Sequence, residues 1–126
     1  LDRIYAENGS KVHRQLFGNT IRHLHKNLLI ETKGLPSSGR ITLLHQENKN
    51  RYVVHLLYAP PLQRGRCLII EDVPEIHGVE LNINLNEKIK KAYFVNLEKE
   101  IKIKDAKSIQ IKVDKFQIHE ALVLEY

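Results

Sequence analysis

The sequence predicts a mainly β fold, an antiparallel β-sandwich of eight or nine short strands preceded by one amphipathic helix. Three observations carry that prediction. From about Leu29 onward the apolar residues fall in runs of strand length, several of them alternating with period two. Turn residues such as "GLPSSG", "ENKN" and "PPLQRG" separate those runs at close intervals. Helical spacing is confined to the first 28 residues, so no crossover helices separate the strands as a parallel sheet would need.

Residues 1–28 form an N-terminal helical segment, either the end of a preceding domain or a helix packed on the sandwich. In "KVHRQLFGNTIRHLHKNLL", Val12, Leu16, Ile21, Leu24 and Leu28 share one broad face, with Gly9-Ser10 placed as the N-cap. Gly18 costs a helix about 1 kcal/mol relative to alanine, which predicts close packing against another element at that point. The preceding "LDRIYAEN" reads as a short helical turn or a loop.

The β-sandwich is expected over residues 29–126. "LLIETK" is a first strand ended by "GLPSSG". "RITLLHQ" and "RYVVHLLYA" follow as a hairpin across "ENKN", and Pro60-Pro61 then break the pattern. "RCLIIED", "GVELNINLN", "KIKKAYFVNL", "EIKIK", "SIQIKV" and "FQIHEALVLEY" complete the set. Val79, Leu81, Ile83 and Leu85 alternate cleanly with polar residues, as they do where one sheet face meets a core.

Composition narrows the function classes. The 126 residues are 42% hydrophobic and 28% charged, an ordinary globular balance with room for one domain. The single cysteine, Cys67, excludes an intrachain disulfide and a multi-cysteine zinc site, and reads as a small buried apolar residue. No apolar run approaches the roughly 20 residues of a membrane-spanning helix. The chain begins at Leu1 and has no methionine, so we expect a piece of a longer protein with its targeting information elsewhere. Cytoplasmic and periplasmic locations both fit. Much of the net charge of +5 lies between Asn86 and Lys115, where nine lysines face five acids. Lys102, Lys104 and Lys112 alternate with Ile101, Ile103, Ile111 and Val113, which describes a solvated sheet face. A nucleic-acid face would want arginines and stacking aromatics among them, and the segment offers only Tyr93 and Phe94.

The seven histidines are the obvious candidates for chemistry. His23 and His25 sit two apart, about 200° around a helix, and so do not converge on a metal. His45 shares a strand face with Leu43, and His55 shares one with Val53 and Leu57. We therefore expect His45, His55 and His119 to be buried structural polar groups; the sequence leaves open whether His119 meets His55 across the sandwich. His77, before Gly78, reads as exposed. Ser10, Ser37, Ser38 and Ser108 lie at caps, turns or a strand start, and no Gly-x-Ser-x-Gly elbow is present. Glu71-Asp72 is an adjacent acidic pair in a loop, short of the oxygen ligands a calcium ion needs. No metal, cofactor or catalytic residue is expected. Tyr52, Tyr58, Tyr93 and Phe116 are the candidate stacking residues for a carbohydrate.

Several of these pieces together resemble the C-terminal end of modular bacterial β-galactosidases and related glycoside hydrolases. In that architecture a catalytic barrel is followed by an amidotransferase-like domain and then by a small all-β domain. "HRQLFGNTIRHLHKNLL" resembles the last helix of the middle domain. "GLPSSGRITLLHQ", "RYVVHLLYAPPLQRG", "IEDVPEIHGVELNINL" and "QIHEALVLEY" follow in the order of the β domain. One departure is Tyr58-Ala59, where the resemblance implies an Asn or similar polar residue after His-Leu-Leu. The resemblance implies a non-catalytic accessory domain, because the two carboxylates of such glycosidases lie on a barrel of about 250 residues. Its partners would be the preceding domains of the same polypeptide and other copies of the parent. The alternatives are a carbohydrate-binding module and, behind it, a basic nucleic-acid-binding β domain.

Overall fold

Clean alternation in "GVELNINL" and "SIQIKV" becomes two long paired strands, and the rest of the sandwich is built against their apolar face. The computed structural model describes residue 3, residues 7–103 and residues 106–126. Lys104, one of the lysines of the expected solvated face, lies outside the described residues, as does most of the segment before Glu7.

One helix, α1 (Lys11–Leu24), precedes ten strands among the described residues. These are β1 (Ile30–Lys33), β2 (Arg40–Gln46), β3 (Arg51–Tyr58), β4 (Leu62–Arg64), β5 (Cys67–Ile69), β6 (Ile76–Ile89), β7 (Lys91–Phe94), β8 (Lys99–Ile101), β9 (Ala106–Phe116) and β10 (Ile118–Glu125). All pairings are antiparallel. They form a three-stranded sheet β1-β6-β9, a five-stranded sheet β2-β3-β10-β7-β8 and a two-stranded ribbon β4-β5. The mainly β architecture with one leading helix is the one the sequence predicts. "ELNINLN" and "EKI" belong to one 14-residue strand rather than two, its ladder with β9 shifting between Asn84 and Ile89. The "PPLQRG" break contains β4, which pairs only with β5 and so tolerates Pro60-Pro61 at its start.

The core lies between the two larger sheets. Val79, Leu81, Ile83 and Leu85 of β6 and Ile109, Ile111 and Val113 of β9 meet Tyr52, Val54 and Leu56 of β3, Phe94 of β7, and Leu122 and Leu124 of β10. On the opposite side of β6 and β9, Glu80, Lys112 and Gln110 are exposed. Gly34 closes β1 at φ +82°, and a Cβ there would stand 3.0 Å from the carbonyl oxygen of Gly78. Both the left-handed backbone and the close approach require glycine at that turn.

α1 stands apart from this core. Ser10 occupies its N-cap position without a side-chain hydrogen bond, and no residue of the helix is buried. Val12 is 71% exposed, Ile21 57% and Leu24 79%. Gly18 has open space around it, with the Arg22 side chain as its near neighbour, so it does not mark the close packing expected of it. Arg14 ties the helix to the loop before β2, its Nη2 donating to the carbonyl of Ser37 at 3.0 Å.

Candidate functional site

The two histidines of the β2–β3 hairpin point to opposite faces of one sheet. His45 pairs in register with Tyr52 and shares its inward parity, whereas His55 alternates with the inward-facing Val54 and Leu56 and so faces out. Which of the two faces was the inner one could not be read from a single strand. None of His45, His55 and His119 is fully buried: His45 is exposed, and the other two are half-buried.

His55 and His119 meet on the outer face. Ala121 of β10 pairs with His55 and His119 pairs with Leu57, so the two imidazoles are diagonal neighbours on adjacent strands. They do not approach across the sandwich. His55 Nδ1 and His119 Nε2 are 3.0 Å apart, with ring centroids at 5.2 Å and planes 23° apart. At that distance one facing nitrogen donates and the other accepts, the tautomers deciding which. Each imidazole thereby gives the other the partner that a half-buried polar group needs.

His45 belongs to a second cluster, at the end of the sandwich. Its ring stacks on Tyr52 at 4.1 Å and 9°, and its Nε2 lies 3.0 Å from the Tyr126 hydroxyl. The Tyr52 hydroxyl donates to Glu87 Oε2 at 2.6 Å. Burial, then the bond and charge of Glu87, push the Tyr52 hydroxyl up to about 12. The same hydrogen bond holds the Glu87 carboxyl below its ordinary value. Here a β-strand pair delivers an imidazole and a phenol to one point, and Tyr126 lies beside them, its amide N–H donating to the Asn50 carbonyl.

Tyr52 and Phe116 are core side chains, 8% and 3% exposed, so their ring faces are not open to a sugar. Tyr58 packs against the main core and Tyr93 against the outer cluster of Val53, Ala121 and Val123. Tyr52, Tyr58 and Phe116 thus belong to the core between the two sheets and Tyr93 to the outer face of the five-stranded sheet, so the four do not form one platform. Cys67 is exposed, opposite Arg64 on the β4-β5 ribbon, rather than buried as its residue type suggested. His77 is exposed, as expected, but lies in β6 with its Nε2 3.5 Å from Glu75.

No group of three His, Cys, Asp or Glu side chains among the described residues is placed to hold a metal ion. In the acidic loop the Glu71 carboxylate is taken by Arg64, which donates from Nε and Nη2 at 2.9 and 2.7 Å. Sequence reasoning missed Glu120. It is the one buried charged side chain among the described residues, 1% exposed, and its Oε1 accepts the amides of Asn96 and Ala121 at 2.9 Å each. Asn96 Nδ2 in turn donates to the His119 carbonyl at 2.7 Å. These bonds pin the turn after β7 to β10, beside the histidine pair. A Glu at an inward position of "HEALVLEY" was the available signal, since such a carboxylate must find donors.

The two clusters and the buried carboxylate brace strands; they do not present a nucleophile or a free acid–base pair. No family model matches the chain, and no curated protein sequence matches it either. Among solved structures, α-L-fucosidase isoenzyme 2 from Paenibacillus thiaminolyticus is similar, with a TM-score of 0.87 and 33% identity. The similarity covers 97% of this chain and 19% of that one. The chain is thus homologous to a segment of a bacterial glycoside hydrolase, one that spans about a fifth of the fucosidase chain.

Proposed function

We propose that this chain is a non-catalytic accessory domain of a glycoside hydrolase, serving to stabilise the architecture or assembly of the parent enzyme. The observation that carries this reading is the similarity over nearly the whole of this chain to a minor portion of an α-L-fucosidase chain. The local chemistry agrees with it. Exposed carboxylates such as Glu71, Glu75 and Asp114 are each held by an arginine or lysine. Glu120 is committed to two backbone amides. A retaining glycosidase instead needs two carboxylates about 5–5.5 Å apart flanking an open substrate site.

For the parent, an α-L-fucoside is the substrate class the structural similarity favours. A β-galactoside is the second reading, favoured by the resemblance of "RYVVHLLYAPPLQRG" and its neighbours to the β domain of modular β-galactosidases. Full-length parent and a version lacking this chain test both the role and the substrate. With 4-nitrophenyl glycosides of both kinds, the parent is expected to turn over one of them, and the truncated enzyme to lose thermal stability or assembly. Equal activity, stability and assembly after truncation would contradict the accessory role.

A further inference from the structure

The five-stranded sheet is apolar on its core face and also in the middle of its outer face, which Arg40, Thr42, Arg51, Lys91, Glu100 and Glu125 border. Its strands β3 and β10 read "YVVHLL", interrupted by His55, and "ALVL", near-continuous apolar runs of the kind found in strands covered on both sides, unlike the alternating β6 and β9. Val53, Ala121 and Val123 form a cluster on the side away from the core and are only 5–7% exposed. Around them Leu44, Leu57 and Val95 are 45%, 38% and 46% exposed. Leu44 lies directly opposite Val53, and the Val95 amide bonds the Ala121 carbonyl, so these six side chains share one face. The His55–His119 pair sits among them with its facing nitrogens already satisfied. A cover over this face therefore has to supply partners only for the outer ring nitrogens of the pair, His55 Nε2 and His119 Nδ1. At its edge Leu57 continues into a groove of about 670 Å³ shared with Arg40, Pro60 and Pro61.

We infer that this outer face is the docking surface for another domain of the same polypeptide, one that presents an apolar surface to it. The inference rests on the accessory-domain reading and names the face that reading requires. The similar fucosidase chain supplies the reason for a partner within one polypeptide, since about four-fifths of it lies outside the matched segment. A domain tethered in this way meets the face at high effective concentration, so a modest apolar patch suffices. The outer side of the three-stranded sheet, with Glu80, Gln110 and Lys112 exposed, is the face left to solvent.

Hydroxyl-radical footprinting of the wild-type full-length parent tests this without relying on a variant that folds. Near-complete loss of labelling is expected at Leu44, Leu57 and Val95, while Leu68 on the β4-β5 ribbon is labelled freely. Labelling of the three at rates like that of Leu68 would overturn the inference. Protection that appears only at concentrations where the parent self-associates would overturn the choice of partner, assigning the face to a second copy. Leu57→Glu in the same protein is expected to restore labelling at Leu44 and Val95, and Gln110→Glu to leave it unchanged. Turnover of the two nitrophenyl glycosides by the same preparation keeps the readings separate. Protection without turnover would refute the hydrolase and leave the docking face standing. Turnover without protection would do the reverse.

Discussion

Tyr52 shows how one inward aromatic can be both core and hydrogen-bond donor. Its ring fills the end of the sandwich while its hydroxyl reaches Glu87. Because the folded pKa, about 12, lies above the ordinary value of 10.0, the native state keeps this proton when the unfolded chain has lost it. The contribution is complete below about pH 10 and disappears as pH rises towards 12. Two units correspond to about 2–3 kcal/mol. Urea unfolding of wild type and Tyr52→Phe from neutral to alkaline pH should show a loss of that size in wild type and a much smaller one in the variant. The second single-residue case is Ile118, the first residue of β10, which takes φ +61°, with the His119 amide N–H donating to the Gln117 carbonyl at 2.7 Å. A β-branched residue is strained in that region. Being 48% exposed, it returns little packing for the strain. Ile118→Asn is expected to raise stability by about 0.5–1 kcal/mol, measured by the same unfolding. A loss of stability would mean the side chain matters more than the backbone there.

The strands differ in how much of their environment their own pattern discloses. β6 and β9 alternate, and alternation identifies the core face directly: Leu81, Ile83, Ile111 and Val113 point inward and the residues between them outward. β3 and β10 carry apolar residues on both parities, so their pattern fixes which side chains share a face without saying which face meets the core. That ambiguity is why His55 was expected inside and is found outside. Tyr52 could have been placed in the core, since it shares parity with Val54 and Leu56. β4 was hidden by Pro60-Pro61, because a strand of three residues has too little pattern to oppose two prolines. The meeting of His55 with His119 depends on pairing between strands 64 residues apart, and nothing local encodes it. β10, central in its sheet with β3 and β7 as neighbours, is where a core deletion is felt most. Leu122→Ala is expected to cost about 2–5 kcal/mol in chemical unfolding, against well under that for Leu44→Ala at an exposed position.

At the scale of the whole molecule, one core holds the sandwich together while two apolar surfaces remain outside it, the stripe of α1 and the outer face of the five-stranded sheet. Exposed apolar surface of this kind marks contact with another body. Under the docking proposal above, that body is another domain of a longer chain, as the fucosidase chain extends well beyond its matched segment. Arg14 ties α1 to Ser37, in the loop that leads from one sheet to the other, so the helix stands beside the sandwich. Glu71, Glu75 and Asp114 are engaged by Arg64, Lys115 and Lys99, Glu120 by two backbone amides, and His55 and His119 by each other; the accessory-domain reading proposed above places turnover in residues elsewhere. Hydrolysis of 4-nitrophenyl α-L-fucoside and β-galactoside by this chain alone, beside the full-length parent at equal molarity, tests that division most directly. The account predicts turnover by the parent and none by the isolated chain; turnover by the isolated chain would contradict it.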